Sequence, residues 1–303
     1  WETDTVMKQR EHFVEAAQRH EKPFSALCRD YEISRKTGYK WLNRAGEGQQ
    51  LCDQSRCPHR QPSKTAWETE QLILDVRTSN PAWGGKKIKA ALEAAGYKGI
   101  PSAKTCGNIL KRYGFISPEE SQKHRPFQRF EREKCNDLWQ MDFKGDFLLG
   151  DGSRCFPLDI LDDHSRFCIQ ITPKSSASGV KESVLLAFQE YGLPNSILTD
   201  NGAQFSGFRG GYTQFERWLM DLDVLSIHGR IKHAQTQGKI ERFHRTMKQE
   251  LLNHTSISDI EDAQRKFAVW RDKYNNLRPH EALGMKRPGE VYIPSQRPYC
   301  EKI

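Results

Sequence analysis

The sequence has no apolar run long enough to cross a bilayer. Hydrophobic residues make up 36% of its 303 positions and the mean hydropathy is −0.78, whereas a membrane-spanning helix needs about 18 or more consecutive apolar residues. A basic leader followed by an apolar segment is also missing from the first stretch. We therefore expect neither a membrane protein nor a secreted one.

Paired cysteines are missing as well. The eight cysteines are scattered and form no C-x-x-C pair, which argues against a redox motif or a disulfide framework. We expect reduced, cytosolic thiols. Cys52, Cys57 and His59 resemble part of a zinc knuckle, but a fourth ligand and tighter spacing are lacking. We expect no metal site at these three residues.

The excess of positive charge is confined to one half of the chain. Residues 1–134 hold 25 of the 47 Lys and Arg and 17 of the 39 Asp and Glu, which is the whole net charge of +8. A basic half joined to a neutral half suggests that one part holds a polyanion on which the other part acts. Charge alone leaves open an ordinary soluble protein with a charged surface.

Residues 1–49 have the pattern of three short helices. Val6, Phe13, Ala16 and Ala17 are spaced like the buried stripe of a helix over about residues 5–20, and Pro23 suits the first turn of a second helix.

The third helix of this unit, residues 34–44, carries most of the interest. Ser34 is a good N-cap, and placing Trp41 and Leu42 inward sends a basic face outward. This pattern predicts a helix-turn-helix domain whose recognition helix contacts DNA, with a solvated charged helix as the alternative. The candidate DNA contacts on the outward face are Arg35, Lys36, Tyr39, Lys40 and Arg44.

A second similar unit is predicted at residues 66–116, after a linker at 50–65. One helix covers about 66–78, a second starts at Lys86, and Ser102 caps a third over 103–113. A polar face at helical spacing makes this a second helix-turn-helix-like DNA-binding domain. The candidate contacts on that face are Lys104, Asn108, Lys111 and Arg112.

A basic linker at residues 117–136 follows. Its basic and aromatic residues alternate without clear periodicity, so we expect an extended segment along a phosphate backbone, with a plain surface linker as the alternative. The cations proposed to contact DNA are Lys123, Arg125 and Arg129.

Residues 137–256 change to short strand-like runs alternating with helices. This pattern predicts the order of a ribonuclease-H-like core: three strands, helix, strand, helix, strand, helix. The expected segments are strands at 138–143, 155–161, 167–171, 196–199 and 224–227, and helices at about 176–191, 213–222 and 238–252.

Three acids stand at informative places in this order. Asp142 lies within the first strand, Asp200 at the tip of the fourth, and Glu241 in the first turn of the last helix. Neighbouring strands can bring the aspartates together, and a cluster of carboxylates is relieved by divalent cations that can promote phosphoryl transfer. Taken singly, Asp200 could be an ordinary turn residue, and Glu241 a charge favoured by the helix dipole.

The runs around these acids resemble the DDE integrase core of bacterial insertion-sequence transposases. They are Trp-Gln-Met-Asp142-Phe, Leu-Asp-Asp-His-Ser-Arg-Phe, Ile-Leu-Thr-Asp200-Asn-Gly and Gln-Gly-Lys-Ile-Glu241-Arg-Phe-His-Arg-Thr-Met-Lys. The likeness extends to the two N-terminal units, through Ile-Ser-Arg-Lys-Thr-Gly-Tyr-Lys-Trp-Leu and Asn-Pro-Ala-Trp-Gly-Gly-Lys-Lys-Ile. It also includes the tail, through Tyr274-Asn-Asn-Leu-Arg-Pro-His-Glu-Ala-Leu-Gly284.

This resemblance implies a multidomain DNA strand transferase. Asp142, Asp200 and Glu241 would be its catalytic, metal-binding triad, holding two Mg²⁺ or Mn²⁺ ions. Its partners would be double-stranded DNA, namely terminal inverted repeats and target DNA, and a second copy of the chain, as a homodimer or higher oligomer. A regulator with an inactive core, or a nuclease that cuts without joining, remains an alternative.

Polar residues near Glu241 complete the expected site. Arg245 and Lys248 lie at i+4 and i+7 from Glu241 and could position phosphates, unless they form a solvated basic face. Gln237 and Lys239, just before it, are further candidate DNA contacts. Asp162 and Asp163 are expected to be hairpin-turn residues, because adjacent strand residues face opposite ways.

The tail, residues 257–303, predicts one more amphipathic helix. Its apolar positions are Ile260, Ala263, Phe267, Trp270 and Tyr274. Such a helix could pack on the core of its own chain or cross to a partner subunit, and the sequence does not choose between the two.

Overall fold

The computed structural model describes residues 6–20, 22–53, 64–116, 132–202, 204–205, 207, 211–229 and 238–300. Two units can be distinguished, Trp1–Lys64 and Thr65–Ile303. Across these described ranges, no helix is both long enough and apolar enough for a membrane span.

The first unit contains three helices: α1 (Val6–Gln18), α2 (Phe24–Asp30) and α3 (Arg35–Gly46). Ser34 caps α3 as expected, since its hydroxyl accepts the N–H of Thr37 at 3.1 Å.

The core of this unit is small and partly aromatic. Phe13, Leu27, Cys28 and Trp41 are buried together. The expectation for Val6 is wrong, because this residue is 62% exposed. It is the first residue of α1, so it starts the helix without being covered by the other two.

The second unit begins with another helical trio, α4 (Trp67–Ser79), α5 (Gly85–Ala94) and α6 (Ala103–Arg112). Ser102 caps α6 through the N–H of Thr105. Helices α5 and α6 approach closely, since a Cβ added to Gly85 would lie 2.4 Å from the carbonyl oxygen of Ala103.

A five-stranded mixed sheet and a separate two-stranded hairpin follow. The strands are β1 (Trp139–Phe143), β2 (Phe147–Leu148), β3 (Arg154–Cys155), β4 (Leu158–Asp162), β5 (Cys168–Thr172), β6 (Ser196–Thr199) and β7 (Leu225–His228). Their order in the main sheet is β5-β4-β1-β6-β7, and β2 and β3 form a separate hairpin. In the main sheet, β4 is antiparallel to both β5 and β1. Strand β6 pairs in parallel with β1, and β7 pairs in parallel with β6. This is the mixed sheet predicted for a ribonuclease-H-like core.

Helices cover both faces of this sheet. On one face, α7 (Val180–Tyr191) and α8 (Gln214–Asp221) pack on a cluster that includes Trp139 and Met141. On the other face, α9 (Gly238–Met247) and α10 (Ile260–Asn276) pack on a cluster that includes Leu161.

Two predicted helices differ in their limits. Helix α7 begins at Val180 and not near Ser176, because Gly179 adopts a left-handed conformation with φ of 65°. The last core helix is α-helical only to Met247 and continues as a π-helical turn, Lys248–Leu252.

The tail packs on the core of its own chain. Ala263, Phe267, Trp270 and Tyr274 of α10 are buried against the sheet, as their spacing predicted. A short helix α11 (Pro288–Val291) follows. The tail also contacts the second helical trio, since Lys86 of α5 lies 3.3 Å from the carboxylate of Glu281.

Candidate active site

Strand β1 presents Asp142 on the face of the sheet that α9 covers. Successive side chains of a strand point to opposite faces, and the fully buried Trp139 and Met141 belong to the cluster under α7 and α8. Gln140 and Asp142 therefore point to the other face. In the antiparallel register, Asp142 pairs with Asp159 of β4, so two carboxylates lie on one face at directly opposed positions.

Asp200 directly follows β6, the parallel neighbour of β1. In the register of this pair, Gln140 lies beside Leu198. The paired register ends there, two residues before Asp142 and Asp200. The charge of Asp200 raises the pKa of Asp142, so the two carboxylates lie near each other.

The turn after β6 is fixed by hydrogen bonds. The N–H of Gly202 donates to Oδ1 of Asp200 at 2.9 Å, and Asn201 donates to the carbonyl oxygen of Gly229 at 2.7 Å. His228, the last residue of β7, bridges β6 and α8. Its Nδ1 lies 3.1 Å from Oγ1 of Thr199, and its Nε2 lies 2.8 Å from the carboxylate of Glu216. The backbone that carries Asp200 is therefore held from two sides.

Burial raises the pKa of Asp142 to about 6. The charges of Asp200 and Asp159 raise it as well, whereas His244 and the N–H of Phe143 act in the opposite direction. Ionising Asp142 therefore costs more free energy here than in water, and a nearby cation would lower that cost. Carboxylate oxygens are the ligands preferred by Mg²⁺ and suit Mn²⁺, so the chemistry of these donors fits such an ion.

Asp159 and His244 are functional candidates that sequence reasoning missed. Asp159 is fully buried, and its carboxylate lies 2.9 Å from Nε2 of His244 on α9. This is a short contact without hydrogen-bond alignment, since neither group has an aligned partner among the residues that the structure describes. The signal available in the sequence was an acid in the middle of the apolar run Leu158–Leu161.

Glu241 lies in the first turn of α9 and is exposed. In the part of the chain that the structure describes, no three His, Cys, Asp or Glu side chains are close enough to hold a metal ion. Asp142 and Asp200 lie near enough for the charge of Asp200 to raise the pKa of Asp142, and a metal-binding triad of these two with Glu241 stays a prediction.

The predicted cations on α9 differ in their surroundings. Lys239 is 2.5 Å from the carboxylate of Asp163, and its side chain is only 15% exposed. Arg245 and Lys248 are exposed. Gln237 lies outside the described residues.

Two of the five candidate contacts on α3 are plainly exposed, Arg35 and Lys36. The ring of Tyr39 is 55% exposed but packs on Phe24, with the ring centroids 4.4 Å apart. Tyr39 therefore contributes to packing between α2 and α3.

The other two candidates on α3 surround Trp41. Arg44 is half-buried, and its guanidinium donates to the carbonyl oxygen of Cys52 at 2.8 Å. Its guanidinium is thus engaged within the first unit, and a DNA contact by Arg44 stays a prediction. The ammonium of Lys40 lies 4.2 Å from the centre of the Trp41 ring and 3.8 Å from Asp53.

On α6, Lys104, Asn108 and Lys111 are exposed as predicted. Arg112 is exposed but engaged, because its guanidinium lies 2.5 Å from the buried carboxylate of Glu70. The remaining predicted contacts lie outside the described residues, as do two members of the Cys52 cluster. They are Lys123, Arg125, Arg129, Cys57 and His59.

The sheet order and the two adjacent aspartates define a class of protein. A mixed sheet of order β5-β4-β1-β6-β7, with helices on both faces, one acid on its central strand and another directly after the parallel neighbour of that strand, is a ribonuclease-H-like core.

Comparison with known families agrees with this class. Residues 132–234 match a family model described as an integrase core domain, and residues 223–288 match a second model of the same description. The chain thus contains an integrase core domain and is related to the DDE transposases of bacterial insertion sequences, which confirms the resemblance seen in its motifs.

Curated relatives come from several insertion elements. The chain is 32% identical over 157 residues to an uncharacterized 39.2 kDa protein of insertion element IS476 from Xanthomonas euvesicatoria, covering 51% of this chain and 44% of that protein. It is 27% identical over 187 residues to the transposase for insertion sequence element IS21 from Pseudomonas aeruginosa, covering 58% and 45%. The chain spans about half the length of the curated relatives it matches.

Solved structures with some likeness are retroviral. A chain of the simian T-cell lymphotropic virus intasome in complex with PP2A regulatory subunit B56 gamma has 18% identity and a TM-score of 0.45 over 78% of each chain. The HTLV-2 integrase catalytic core domain in complex with magnesium has 17% identity and a TM-score of 0.40, over 52% of this chain and 97% of that one.

Proposed function

We propose that this chain is a DNA transposase of the DDE class that cuts and joins DNA strands with divalent metal. The observation that carries the proposal is the proximity of Asp142, on the central strand, to Asp200, directly after β6, together with the burial that raises the pKa of Asp142 to about 6. An acid that is costly to ionise beside another acid suits a site that receives a cation.

The metal ligands in this proposal are Asp142, Asp200 and Glu241. Two Mg²⁺ or Mn²⁺ ions held there would activate a water or a 3′-hydroxyl and stabilise the leaving oxygen of an in-line phosphoryl transfer. Asp142 would supply a ligand from a strand paired on both sides, and Asp200 one from a turn closed by the N–H of Gly202. Glu241, which is exposed on α9, would complete the set when metal binds.

The reaction has two stages in this proposal. Hydrolysis at the ends of the mobile element exposes 3′-hydroxyl groups, and these attack target DNA by direct transesterification. Arg245 and Lys248 lie on exposed positions of the same helix segment as Glu241 and would hold phosphates near the metal ligands.

The two helical trios would be helix-turn-helix modules that bind the terminal inverted repeats. The N-terminal turn of α3, capped by Ser34, exposes Arg35 and Lys36, which suits entry of this end into the major groove. Helix α6 has the same features, with Ser102 as its cap and Lys104 exposed.

Pairing two DNA ends requires at least two copies of the chain, so we expect a homodimer or a higher oligomer on DNA. The protein would act in the bacterial cytosol on nucleoid DNA. The described cysteines are free thiols, which suits that compartment.

A strand-transfer assay tests the proposal. The full chain is incubated with duplexes from the ends of the element that encodes it, with Mg²⁺ or with EDTA. We expect metal-dependent nicking and covalently joined product. Asp142→Asn, Asp200→Asn and Glu241→Gln should each abolish both while leaving end binding nearly intact, because each removes only a metal ligand. Asp272→Asn, an acid of α10 bonded to Asn276, is the matched control.

The outcome also separates the alternatives. End binding by the wild-type chain without metal-dependent nicking would indicate a DNA-binding regulator with an inactive core. Nicked DNA without joined product would indicate a nuclease. Near-normal activity of any one triad variant would remove that residue from the proposed metal site.

A further inference from the structure

Asp163 is a fully buried acid that the proposed reaction does not use. It directly follows β4, and its carboxylate accepts hydrogen bonds from three separate parts of the chain. The N–H of Arg132 donates at 2.9 Å, the amide of Gln140 at 2.8 Å, and the ammonium of Lys239 at 2.5 Å. These donors come from the segment before β1, from β1 itself and from α9.

The neighbouring acid shows what a turn residue at this place does. Asp162 accepts the N–H and the hydroxyl of Ser165, three residues on, at 2.8 and 2.6 Å. Those bonds close the turn, and Oδ1 of Asp162 also accepts the N–H of Asn136 at 2.8 Å. The side-chain bonds of Asp163 all leave the turn and, unlike those of Asp162, reach α9, so Asp163 has a task beyond the turn role predicted for both acids.

Gln140 relays this anchor to α9. Its side-chain nitrogen Nε2 donates to Asp163, and its side-chain oxygen Oε1 accepts the N–H of Ile240 at 3.2 Å. Ile240 is the third residue of α9, where the N–H has no partner within the helix. Gln140 therefore provides the bond that an N-cap side chain usually provides.

These contacts bracket Glu241 on its own helix. Lys239 and Ile240, the two residues before it, are tied to Asp163 and Gln140, and His244, three residues after it, lies against Asp159. The backbone of Glu241 is thereby fixed relative to the sheet that carries Asp142.

The contact between Asp163 and Lys239 is a buried ion pair. Asp163 has no exposed surface and the side chain of Lys239 only 15%, so the pair is shielded from water and breaking it is costly. Displacing the first turn of α9 would take Lys239 away from the buried carboxylate of Asp163.

We propose that Asp163 is a positioning residue that, through Lys239 and Gln140, holds the first turn of α9 and Glu241 in place for metal binding. The inference rests on the proposed function insofar as Glu241 is a metal ligand. In this inference, metal affinity depends on Asp163 as well as on the three acids of the triad.

The test compares Asp163→Asn in the full chain with a matched control. Asp262→Asn is that control, because Asp262 likewise pairs with a lysine, Lys266 at 2.6 Å, and accepts a backbone N–H, but it lies on α10. For Asp163→Asn we expect about a 10- to 100-fold loss of Mn²⁺ affinity by calorimetry without DNA, as for other residues that orient metal ligands. The Mn²⁺ concentration for half-maximal nicking should rise in parallel.

A second readout follows the anchor directly. Hydrogen exchange at the Ile240 amide should accelerate in Asp163→Asn, with the amides of β1 and β4 unchanged, and binding of DNA ends should stay at the wild-type level. Asp262→Asn should alter neither Mn²⁺ affinity nor Ile240 exchange. Should Asp163→Asn fail to fold, Gln140→Met removes only the relay and should shift both measurements in the same direction.

The outcomes separate this inference from the proposed function. Unchanged Mn²⁺ affinity in a folded Asp163→Asn or Gln140→Met variant would overturn the inference even if the wild-type chain joins DNA. A wild-type chain that binds Mn²⁺ but never nicks DNA would overturn the proposed function, and Mn²⁺ affinity and Ile240 exchange would still decide the role of Asp163. A wild-type chain that binds no Mn²⁺ would overturn both.

Discussion

Asp142 and Asp159 oppose each other across the antiparallel pair of β1 and β4, and His244 lies 2.9 Å from the carboxylate of Asp159. The charge of Asp159 raises the pKa of Asp142, whereas that of His244 lowers it. The ionisation of a proposed metal ligand thus depends on two neighbours that are not members of the acidic triad.

The raised pKa of Asp142 makes the stability of the metal-free chain depend on pH. Its folded-state pKa of about 6 exceeds the unfolded value of about 3.9, so the folded state binds more protons between these values and stability falls as pH rises through them. Asparagine does not titrate. Asp142→Asn should therefore gain stability over wild type between pH 4 and pH 7, by at most about 3 kcal/mol for two pKa units.

Urea denaturation in EDTA at both pH values measures this difference. Asp272→Asn, a substitution in an acid of α10 outside the sheet, serves as the control and should show no such pH dependence. An Asp142→Asn variant whose stability relative to wild type is equal at pH 4 and pH 7 would contradict the burial of this carboxylate.

Local patterns predicted the elements that they alone determine. The limits of β6, Ser196–Thr199, were predicted to the residue because an apolar run ends there at Asp200-Asn-Gly. The buried stripe of α10 followed from helical spacing in the same way.

Contacts between distant segments could not be predicted from such local patterns. The bond from Gln140 to Ile240 spans 100 residues, and sequence periodicity contains no information on which helix covers a polar strand residue. The engagement of Lys239 by Asp163 and of Arg112 by Glu70 has the same origin. Each cation has an outward-facing pattern in the sequence, but a buried acid elsewhere in the fold binds it.

Helix α3 allows sequence reading and phosphate binding to be distinguished. Arg35→Ala should cost about 1–3 kcal/mol on cognate DNA ends and relax preference at one base pair if this residue bridges a guanine. Lys36→Ala, if Lys36 contacts phosphate, should weaken cognate and scrambled ends alike. Binding of both variants is compared at fixed salt, because phosphate contacts are salt-dependent.

Arg44→Ala provides the contrast on the same helix. Its guanidinium is bonded to the carbonyl oxygen of Cys52 and lies 5.1 Å from the centre of the Trp41 ring, so its loss should lower the thermal stability of the first unit without changing discrimination. If neither Arg35→Ala nor Lys36→Ala reduces discrimination, α3 is not the reading helix, and Lys104, Asn108 and Lys111 of α6 become the candidates.

Alanine substitutions at Gly84 and Gly85 would test how closely α5 packs on α6 in the second helical trio. A Cβ on Gly85 would lie 2.4 Å from the carbonyl oxygen of Ala103 and 2.7 Å from the nitrogen of Gly107, whereas one on Gly84 would meet nothing within 4 Å. Backbone atoms cannot yield as side chains do, so Gly85→Ala should destabilise the second unit by about 1–3 kcal/mol. Gly84→Ala should stay within about 1 kcal/mol. Equal thermal stability of the two variants would show that α5 and α6 do not approach this closely.

The ion pair between Arg278 and Glu250 joins the tail to the π-helical turn that follows α9. The two groups are 2.9 Å apart, with side-chain exposures of 9% and 5%. The guanidinium also donates to Nε2 of His280 at 3.1 Å. Burial, with a further contribution from Arg278, lowers the pKa of His280 to about 2. His280 thus remains a neutral acceptor at physiological pH and does not compete for Glu250.

Removing one member of this pair should therefore be costly. Arg278→Ala removes the cation that is bonded to the buried Glu250 and leaves Lys87 as a nearby cation, and we expect a loss of about 3 kcal/mol in the free energy of unfolding. The double variant Arg278→Met with Glu250→Leu should recover most of that loss, since replacing both buried charges with apolar side chains is often neutral. Arg287→Ala, which breaks an exposed pair with Glu290 at 3.2 Å, should cost less than about 1 kcal/mol. Urea denaturation of the four chains decides the matter, because a single Arg278→Ala loss no larger than that of Arg287→Ala would mean that water reaches the pair and the tail is not sealed against the core at this point.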